Sequence, residues 1–409
     1  MLVLLINYMR FRKDLMYIMN NFVYEIPTKI YFGENELDGN LIKEIQKYGN
    51  KILLLYGGGS IKKNGLYQKI INELEKNKNI EIFEYSGIKP NPRHTDINEA
   101  IQICKENEID VILAVGGGSV IDSSKLISIG KFYNGDSWDL VIKKAQPEKA
   151  MPIITVLTLA ATGSEMNGTA VISNMETHQK KSVKSPLVVP KVSFLDPTLT
   201  YTVNKYQTAC GSADILSHIL ETYFSRNTGL FMLDRVMEGL MKTVITYAKI
   251  AYREPTNYEA RANLMWVSSW AINGFARIDR QPNIWVCHML EHQLSAFYDI
   301  THGLGLAILT PKYMKYALNE GNVDRYYEFG VNVFNIDKTL PKIEVARKSI
   351  ECLEKFLYED LELSKSLKSI NINDEHFEEM ADRICKNEII EGFVDLNKED
   401  IVNIFKECL

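Results

Sequence analysis

The feature that most constrains the fold is a series of short apolar runs that end at glycine-containing turns. The clearest runs, rich in Ile, Val and Leu, cover residues 52–56, 111–115, 153–157 and 188–195, and helical patterns lie between them. Continuous apolar runs are typical of parallel strands buried on both faces, and the glycine clusters make short buried helices the weaker alternative. Residues 19–202 are therefore predicted to form an α/β domain with a doubly wound parallel sheet.

The pattern changes after Asp196-Pro197, because helical periodicity dominates from about residue 209 to residue 408. A chain of 409 residues is too long for one core of usual size, so a second, all-helical domain is predicted over residues 203–409. The boundary is placed at 200–204, and residues 1–18 are interpreted as an extension outside the fold because a strand-like stretch over 22–32 follows them. The positions expected to interrupt the helices are Pro255, Pro282, Pro311 and Pro341.

Composition excludes several classes of function. The net charge is −5 and no long block of one sign occurs, which argues against a nucleic-acid or membrane partner. The six cysteines form no CxxC pair or framework spacing, so a reducing compartment fits best and a zinc knuckle is not indicated. The apolar N-terminus lacks the basic region and cleavage site of a signal peptide, and no run is long enough to span a bilayer. A cytoplasmic location is expected.

Two predicted strands end in glycine tracts, at residues 57–60 and 116–122. Glycines followed by a helix N-terminus can bring backbone amides to a pyrophosphate, so a dinucleotide-binding domain is predicted, although neither tract fits G-x-G-x-x-G. The alternative is a structural turn in which Ser119 and Asp122 form a capping box. No acid follows the first tract, whereas Ser60, Lys62 and Lys63 do, and this favours NADP(H) over NAD(H).

The polar pattern of the helical half predicts a metal site. Asp214 and His218 are four residues apart on one predicted helix, with Glu221 on the same stripe, and His288 and His292 repeat that spacing on another over 283–297. His302 follows in a loop between small residues. Three imidazoles and a carboxylate are compatible with Fe(II) or Zn(II), although each histidine taken singly is more often a structural residue. His94, His178 and His376 show no such pattern.

These motifs in this order resemble the iron-containing alcohol dehydrogenase family, especially its NADPH-dependent butanol dehydrogenase branch. The similarity runs from about Phe22 to the C-terminus and includes the two glycine tracts, Asn91-Pro92-Arg93 and the loop over 158–167. It also includes residues 195–198 and the stretch from Cys287-His288 to His302-Gly303. The resemblance implies a dehydroquinate synthase-like fold, with a Rossmann-like cofactor domain before a helical metal domain, and a homodimer.

The resemblance also implies roles for individual residues. The metal ligands would be Asp214, His218, His288 and His302. The cofactor contacts would be Gly58, Gly59, Ser60, Gly117, Gly118, Ser119, Thr158, Thr162, Asn167 and Lys180. His292 would lie beside the substrate, where we hypothesise that it relays a proton, because imidazole titrates near neutral pH.

The expected activity is hydride transfer between NADP(H) and a small primary alcohol or aldehyde of the butanol and butanal type, assisted by the metal. One alternative is a non-redox lyase of dehydroquinate synthase type. A second is a non-catalytic assembly or sensor protein. Clustered basic residues, which the lyase substrate would need, are not found around the histidines, and the intact ligand spacing argues against loss of catalysis.

Overall fold

The computed structural model describes residues 21–226, 230–278 and 284–409. The predicted extension over 1–18 and the predicted helix break at Pro282 lie outside the described residues. The strand expected over 22–32 is shorter than predicted, because only β1, Lys29–Phe32, is a strand. Residues 21–28 form no regular element.

The first domain contains a six-stranded sheet with order β1-β8-β5-β4-β2-β3 and parallel pairing throughout. The remaining sheet strands are β2 Lys51–Tyr56, β3 Glu81–Tyr85, β4 Val111–Gly116, β5 Ile153–Leu157 and β8 Val192–Leu195. An antiparallel hairpin, β6 Thr169–Asn174 with β7 Gln179–Lys184, stands apart from this sheet. The run over 188–195 becomes a strand only at Val192, because a short 3-10 turn, Pro186–Val188, and Pro190 precede it.

Helices cover both faces of the sheet, as the continuous apolar strands require. They are α1 Asn40–Ile45, α2 Ser60–Lys63, α3 Leu66–Leu74, α4 His94–Glu106, α5 Gly118–Gly130 and α6 Trp138–Val141. Alternate residues of one strand enter opposite cores. Ile112 and Ala114 of β4 lie in the cluster with α4 and α5, whereas Val111, Leu113 and Val115 lie in the cluster with α1 and α3.

The second domain is helical, with one two-stranded pair, β9 Ile390–Glu391 and β10 Asp395–Leu396. Its helices are α7 Lys205–Tyr223, α8 Phe231–Arg253, α9 Tyr258–Ile272, α10 Val286–Tyr298, α11 His302–Ala317, α12 Val323–Phe334, α13 Lys342–Lys355, α14 Phe377–Cys385 and α15 Lys398–Glu407. The connection between Leu195 and Lys205 contains the predicted boundary, and Asn204 caps α7 by accepting a hydrogen bond from the Gln207 amide at 2.8 Å.

Proline has the expected effect at two positions and not at a third. Pro255 lies between α8 and α9, and Pro341 immediately precedes α13. Pro311 lies inside α11, so the prediction of a helix break there is wrong. A proline at this position deprives the Ala307 carbonyl of its helical donor, and the Tyr358 hydroxyl donates to that carbonyl instead, at 3.0 Å. None of the helices in the described ranges is both long and apolar enough to cross a membrane.

Candidate active site

Helix α7 carries the first two predicted ligands in a buried environment. Asp214 and His218 are 3% exposed each, and Asp214 Oδ1 lies 3.3 Å from His218 Nε2. Gly303 at the start of α11 brings that helix against α7, because a Cβ there would lie 2.0 Å from the Cys210 carbonyl oxygen. This contact places the N-terminus of α11 beside the polar face of α7.

The other two predicted ligands complete a cluster around the same carboxylate oxygen. His288 Nε2, from α10, lies 3.7 Å from Asp214 Oδ1, and His302 Nε2, the first residue of α11, lies 3.6 Å from it. The structure thus brings together one carboxylate and three imidazoles from three helices. Within the described residues, Asp214 Oδ1 and His288 Nε2 are buried and make no hydrogen bond.

This cluster fits a divalent metal. Four tetrahedral ligands bonded at about 2.1 Å hold neighbouring ligand atoms about 3.4 Å apart, close to the observed spacings. Asp214, His218 and His288 also form a compact group of potential ligands, and Glu291, His292 and His302 form a second one. We assign His302 to the first group through Nε2, because its Nδ1 faces Glu291. Unsatisfied buried acceptors are costly, and a cation bound between them removes that cost.

Two further carboxylates orient the imidazoles. Glu221 contacts His288 Nδ1 and also accepts hydrogen bonds from the Cys287 and His288 amides at 2.6 and 3.1 Å. The carboxylate of Glu291 likewise contacts the Nδ1 atom of His302. A proton held on Nδ1 leaves the Nε2 lone pair for the metal. Glu221 lies on the predicted polar stripe, whereas Glu291 was not predicted, although its position three residues after His288 was an available signal.

The charges of the cluster favour cation binding. Burial would raise the pKa of Asp214, but the neighbouring imidazoles outweigh it and hold the pKa well below its usual value. Burial lowers the pKa of His218 to about 3. Burial would also lower the pKa of His288, but Glu221 and Asp214 raise it to about 9. In the metal-free protein a proton on His288 therefore balances the carboxylates, and a bound cation would replace it.

A cleft between the two domains leads to this cluster. Its volume is about 420 Å³, and its polar lining comes from both domains. The predicted residues that line it are Gly118, Ser119, Thr162, Asn167, Lys180, Asp214, His218, His288, His292 and His302. His292 lies beside the cluster, 5.7 Å from His302 between ring centroids. Burial lowers the pKa of His292 well below its usual value, so its imidazole is neutral at physiological pH.

The remaining predicted cofactor residues lie at the same edge of the sheet but do not line this cleft. Gly58, Gly59 and Ser60 follow β2, and the β4 tract begins beside them because β2 and β4 are neighbouring strands. Gly59 has φ of 93°, a conformation that favours glycine, and no atom lies within 4 Å of a Cβ built on Gly58. Gly117 and Thr158 follow β4 and β5, whose carboxyl ends meet at this edge.

The predicted capping box at the second tract is wrong. Gly117, not Ser119, occupies the N-cap position of α5, and no side chain caps it. Gly118 is required in the first turn, because a Cβ there would lie 2.4 Å from Thr162. Asp122 turns inward instead, where Ser164 Oγ and the Val171 amide donate to its carboxylate at 2.5 and 2.8 Å.

Buried Lys125, which the sequence analysis missed, supports the loop over 158–167. Its ammonium donates to Ser164 Oγ at 2.7 Å, to Asn167 Oδ1 at 3.1 Å and to the Thr169 carbonyl at 2.8 Å. Burial lowers the pKa of Lys125 to about 8. This lysine holds the loop from its buried side, whereas Thr162 and Asn167 of the loop line the cleft.

An acid near the first glycine tract was also missed. Glu84, at the end of β3, accepts hydrogen bonds from the Tyr56 and Tyr67 hydroxyls and lies 3.9 Å from Lys62 Nζ. Lys62 also lies over the Tyr67 ring, 4.4 Å from its centroid. The ammonium of Lys62 is thus partly engaged within the protein. The proximity of Glu84 to the glycine tract could not be predicted from the sequence, because Glu84 belongs to the next strand.

Comparison with known proteins was consistent with this geometry. A profile described as "Iron-containing alcohol dehydrogenase" matches residues 27–197, and one described as "Fe-containing alcohol dehydrogenase family, C-terminal" matches residues 208–409. NADH-dependent butanol dehydrogenase A of Clostridium acetobutylicum is 46% identical over 391 residues, covering 95% of this chain and 100% of that protein. NADPH-dependent aldehyde reductase YqhD of Escherichia coli is 38% identical over 296 residues, covering 72% of this chain and 75% of that protein.

A solved structure shows the same architecture. The crystal structure of NADH-dependent butanol dehydrogenase A from Thermotoga maritima superposes with a TM-score of 0.89 at 40% sequence identity. The match covers 95% of this chain and 99% of that chain. Both predicted domains therefore have counterparts in a protein of this type.

Proposed function

The chain belongs to the iron-containing alcohol dehydrogenase family, and from this premise we propose that it interconverts small aldehydes and primary alcohols of the butanal and butanol type with NADP(H). Membership makes the protein a dehydrogenase that uses a nicotinamide cofactor and a divalent metal. The observation that carries the proposal is the convergence of Asp214, His218, His288 and His302 at the end of a cleft that the glycine turn of β4 also lines.

Different residues of the cleft have different roles in the proposed reaction. Asp214, His218, His288 and His302 would hold the metal, Fe(II) or Zn(II), which when bound would supply Lewis-acid polarisation of the substrate oxygen. The amides after Gly117 and the polar groups of Ser119 and Asn167 bind and orient the cofactor, and the buried walls exclude water. His292 is neutral and lies beside His302, so in the oxidation direction its imidazole can accept the hydroxyl proton of the alcohol and release it to solvent.

The preference for NADP(H) rests on the turn after β2. No carboxylate lies in residues 57–63, so nothing within the turn repels a 2′-phosphate, and Ser60 and Lys63 offer a hydroxyl and an ammonium. Both carboxylate oxygens of Glu84 are held by tyrosine hydroxyls. The relatives are divided, since the butanol dehydrogenases of Clostridium acetobutylicum and Thermotoga maritima are named NADH-dependent and YqhD is named NADPH-dependent. The cofactor must therefore be measured on this chain.

The test compares NADPH and NADH oxidation with butanal, using protein stripped with a chelator and reloaded anaerobically with Fe(II) or Zn(II). Oxidation that requires the metal supports the dehydrogenase, and a higher kcat/KM with NADPH supports the proposed preference. A higher kcat/KM with NADH contradicts the preference and leaves the dehydrogenase intact. No oxidation of either cofactor, with several aldehydes, contradicts the activity and favours the lyase.

A substitution that adds a charge to the turn after β2 tests the proposed NADP(H) preference on this chain alone. Ser60→Asp places a carboxylate where the 2′-phosphate would lie, so the NADPH to NADH ratio of kcat/KM is expected to fall at least about tenfold. Ser60→Ala, the matched control, removes the hydroxyl without adding charge and is expected to change the ratio much less. Equal ratios in the wild type and Ser60→Asp would show that the 2′-phosphate binds elsewhere.

We also propose that the chain forms a homodimer through the open edge of its sheet. β1 is an edge strand, and exposed Phe32 on it makes an edge-to-face contact with exposed Trp266 at 5.6 Å between centroids. Open edges with large apolar side chains are usually covered. Light scattering is expected to give the mass of two chains, and Trp266→Glu is expected to lower it to one. A monomeric wild type would contradict the proposal.

The cytoplasmic location stays a prediction from the cysteine pattern. Five of the six thiols are buried, and burial raises the pKa of Cys104 and Cys210 to about 12, which keeps these two protonated and unreactive. Fractionation of the native cells, with detection by an antibody, would decide the location.

A further inference from the structure

Glu291 is a buried carboxylate that touches both the metal cluster and the cofactor lysine. It lies in α10 and is 0% exposed. Its Oε2 contacts His302 Nδ1 in the helical domain and accepts from Lys180 Nζ, at 3.3 Å, in the α/β domain. Lys180 Nζ also lies 3.4 Å from His302 Nδ1, so the three groups form one compact triangle.

The surroundings of Glu291 hold the carboxylate in this position. The Ser295 hydroxyl, one helical turn further along α10, donates to Oε1. Gly305 of α11 leaves the space that the side chain occupies, because a Cβ there would lie 2.8 Å from Glu291 Cγ and 3.2 Å from its Oε1. A side chain fixed on both sides and fully buried cannot move away from His302 and Lys180 without repacking the helix contact.

We propose that Glu291 is a positioning residue that couples occupation of the metal site to binding of the cofactor through Lys180. The proposal rests on the function proposed above, because it takes Lys180 as a cofactor contact and His302 as a metal ligand. It goes beyond that function by giving the two sites a shared carboxylate and by predicting that each ligand alters the affinity for the other.

The direction of the coupling follows from the shared oxygen. A cation that draws on the lone pair of His302 Nε2 makes the Nδ1–H a stronger donor to Glu291 Oε2. The same oxygen then accepts less strongly from Lys180, and the ammonium is freer to meet the anionic cofactor. Metal is therefore expected to tighten NADPH binding.

Glu221 supplies a matched control within the same site. It contacts His288 Nδ1 as Glu291 contacts His302 Nδ1, and it lies on the other side of the cluster. No hydrogen bond joins Glu221 to a lysine among the described residues; its donors are the His288 ring and two backbone amides. Replacing either carboxylate by its amide should weaken metal binding, by about 10- to 100-fold for groups of this kind. Only Glu291→Gln should also uncouple the cofactor.

The experiment measures the Kd of NADPH from its fluorescence, in chelator-stripped protein and again at saturating Zn(II). In the wild type and in Glu221→Gln, Zn(II) is expected to lower this Kd at least about fivefold. In Glu291→Gln the change is expected to fall below about twofold, although the metal site is saturated. An unchanged coupling in Glu291→Gln, or an equal loss in Glu221→Gln, would overturn the proposal.

A second variant covers the case in which Glu291→Gln does not fold, as judged by its circular dichroism and thermal unfolding. Lys180→Gln removes the other end of the link, so it should bind Zn(II) as the wild type does while its NADPH affinity no longer responds to Zn(II). Retained coupling in Lys180→Gln would overturn the proposal. Turnover of butanal by the wild type without any coupling would refute this inference and leave the proposed function standing, whereas absence of turnover would refute the function itself.

Discussion

Among single residues, Asp214 lies at the centre of the proposed metal site. One of its carboxylate oxygens is the point on which three imidazole nitrogens converge, at 3.3, 3.6 and 3.7 Å. The helix that carries it is buried over most of its length, and its side chain reaches solvent through the cleft that it lines. The site is therefore formed before the metal binds, at the cost of burying a carboxylate that only a cation fully satisfies.

Replacing Asp214 by its amide tests this role. Asp214→Asn keeps the shape of the side chain and removes the charge, so Zn(II) affinity, measured by competition with a chromophoric chelator, is expected to fall at least about 100-fold. Asp38→Asn removes a half-exposed surface charge and should leave the affinity unchanged. Equal affinities in the wild type and Asp214→Asn would place the metal elsewhere.

Gly305 offers a test that changes no ligand. Gly305→Ala forces a Cβ within 2.8 Å of Glu291 Cγ, so the carboxylate must shift away from His302. Zn(II) affinity is expected to fall by about tenfold, as for other losses of an orienting carboxylate. Gly239→Ala in α8 is the control, because no atom lies within 4 Å of its Cβ and the change should raise helix stability by up to about 1 kcal/mol. An unaltered metal affinity in Gly305→Ala would show that Glu291 is not tightly held.

Local spacing predicted a metal site in the helical half, because Asp214 and His218 are a helical pair and His288 and His292 repeat that spacing. The choice of His302 over His292 as a ligand came from the family resemblance, and His302, which was expected in a loop, is the first residue of α11. The position of Glu291 three residues after His288 was a local signal, but its contact with Lys180 and the role of Lys125 could not be identified in this way. Lys180 lies 111 residues from Glu291 and Ser164 lies 39 from Lys125, so their partners became visible only when the chain had folded.

Among the elements, the edge strand β1 is held by one buried carboxylate of α1. Glu44 is 1% exposed and accepts from Lys29 and Tyr31 of β1 at 2.7 and 2.8 Å, and from Lys47 at 2.5 Å. Burial would raise the pKa of Glu44, but these hydrogen bonds outweigh it and lower the pKa to about 2. Within the part of the chain that the structure describes, the contact attaches a strand that otherwise pairs only with β8.

This contact makes part of the stability pH-dependent. Because the folded pKa lies below the unfolded value, Glu44 stabilises the fold fully above about pH 4.5, and the contribution is lost as the pH falls toward about 2. The exposed lysines limit the effect, so Glu44→Gln should cost about 1–2 kcal/mol at pH 7 and almost nothing near pH 2. Urea unfolding of the wild type and Glu44→Gln at both pH values measures this loss in the free energy of unfolding. A loss that is the same at both pH values would contradict the low pKa of Glu44.

The turn between α10 and α11 joins the two domains next to the metal site. Asp299, with φ of 49°, accepts from Asn91 Nδ2 at 2.9 Å and from Arg93 at 2.8 Å, both from the α/β domain. Asn tolerates this backbone conformation, whereas Ala does not. Asp299→Ala should therefore destabilise the protein by about 1 kcal/mol more than Asp299→Asn in urea unfolding. Equal losses would mean that the ion pair, not the backbone, carries the effect.

For the whole molecule, the pattern of apolar runs predicted the architecture well. The four runs correspond to β2, β4, β5 and β8, since continuous burial on both faces leaves a clear trace in the sequence. The hairpin of β6 and β7 was missed, because its strands mix exposed lysines with buried residues and lie outside the parallel sheet. Pro311 was misread, because the hydroxyl that satisfies the Ala307 carbonyl belongs to Tyr358, 51 residues further along the chain than Ala307.

We propose that Asp214, His218, His288 and His302 hold one metal on which hydride transfer depends. Titration of chelator-stripped protein with Zn(II) or Fe(II), while NADPH and NADH consumption with butanal is followed, tests this dependence. The rate is expected to rise with added metal and to level off at one equivalent per chain, and Asp214→Asn is expected to show no rise at that equivalence. Full activity in the stripped protein, or the same titration curve for Asp214→Asn, would contradict it.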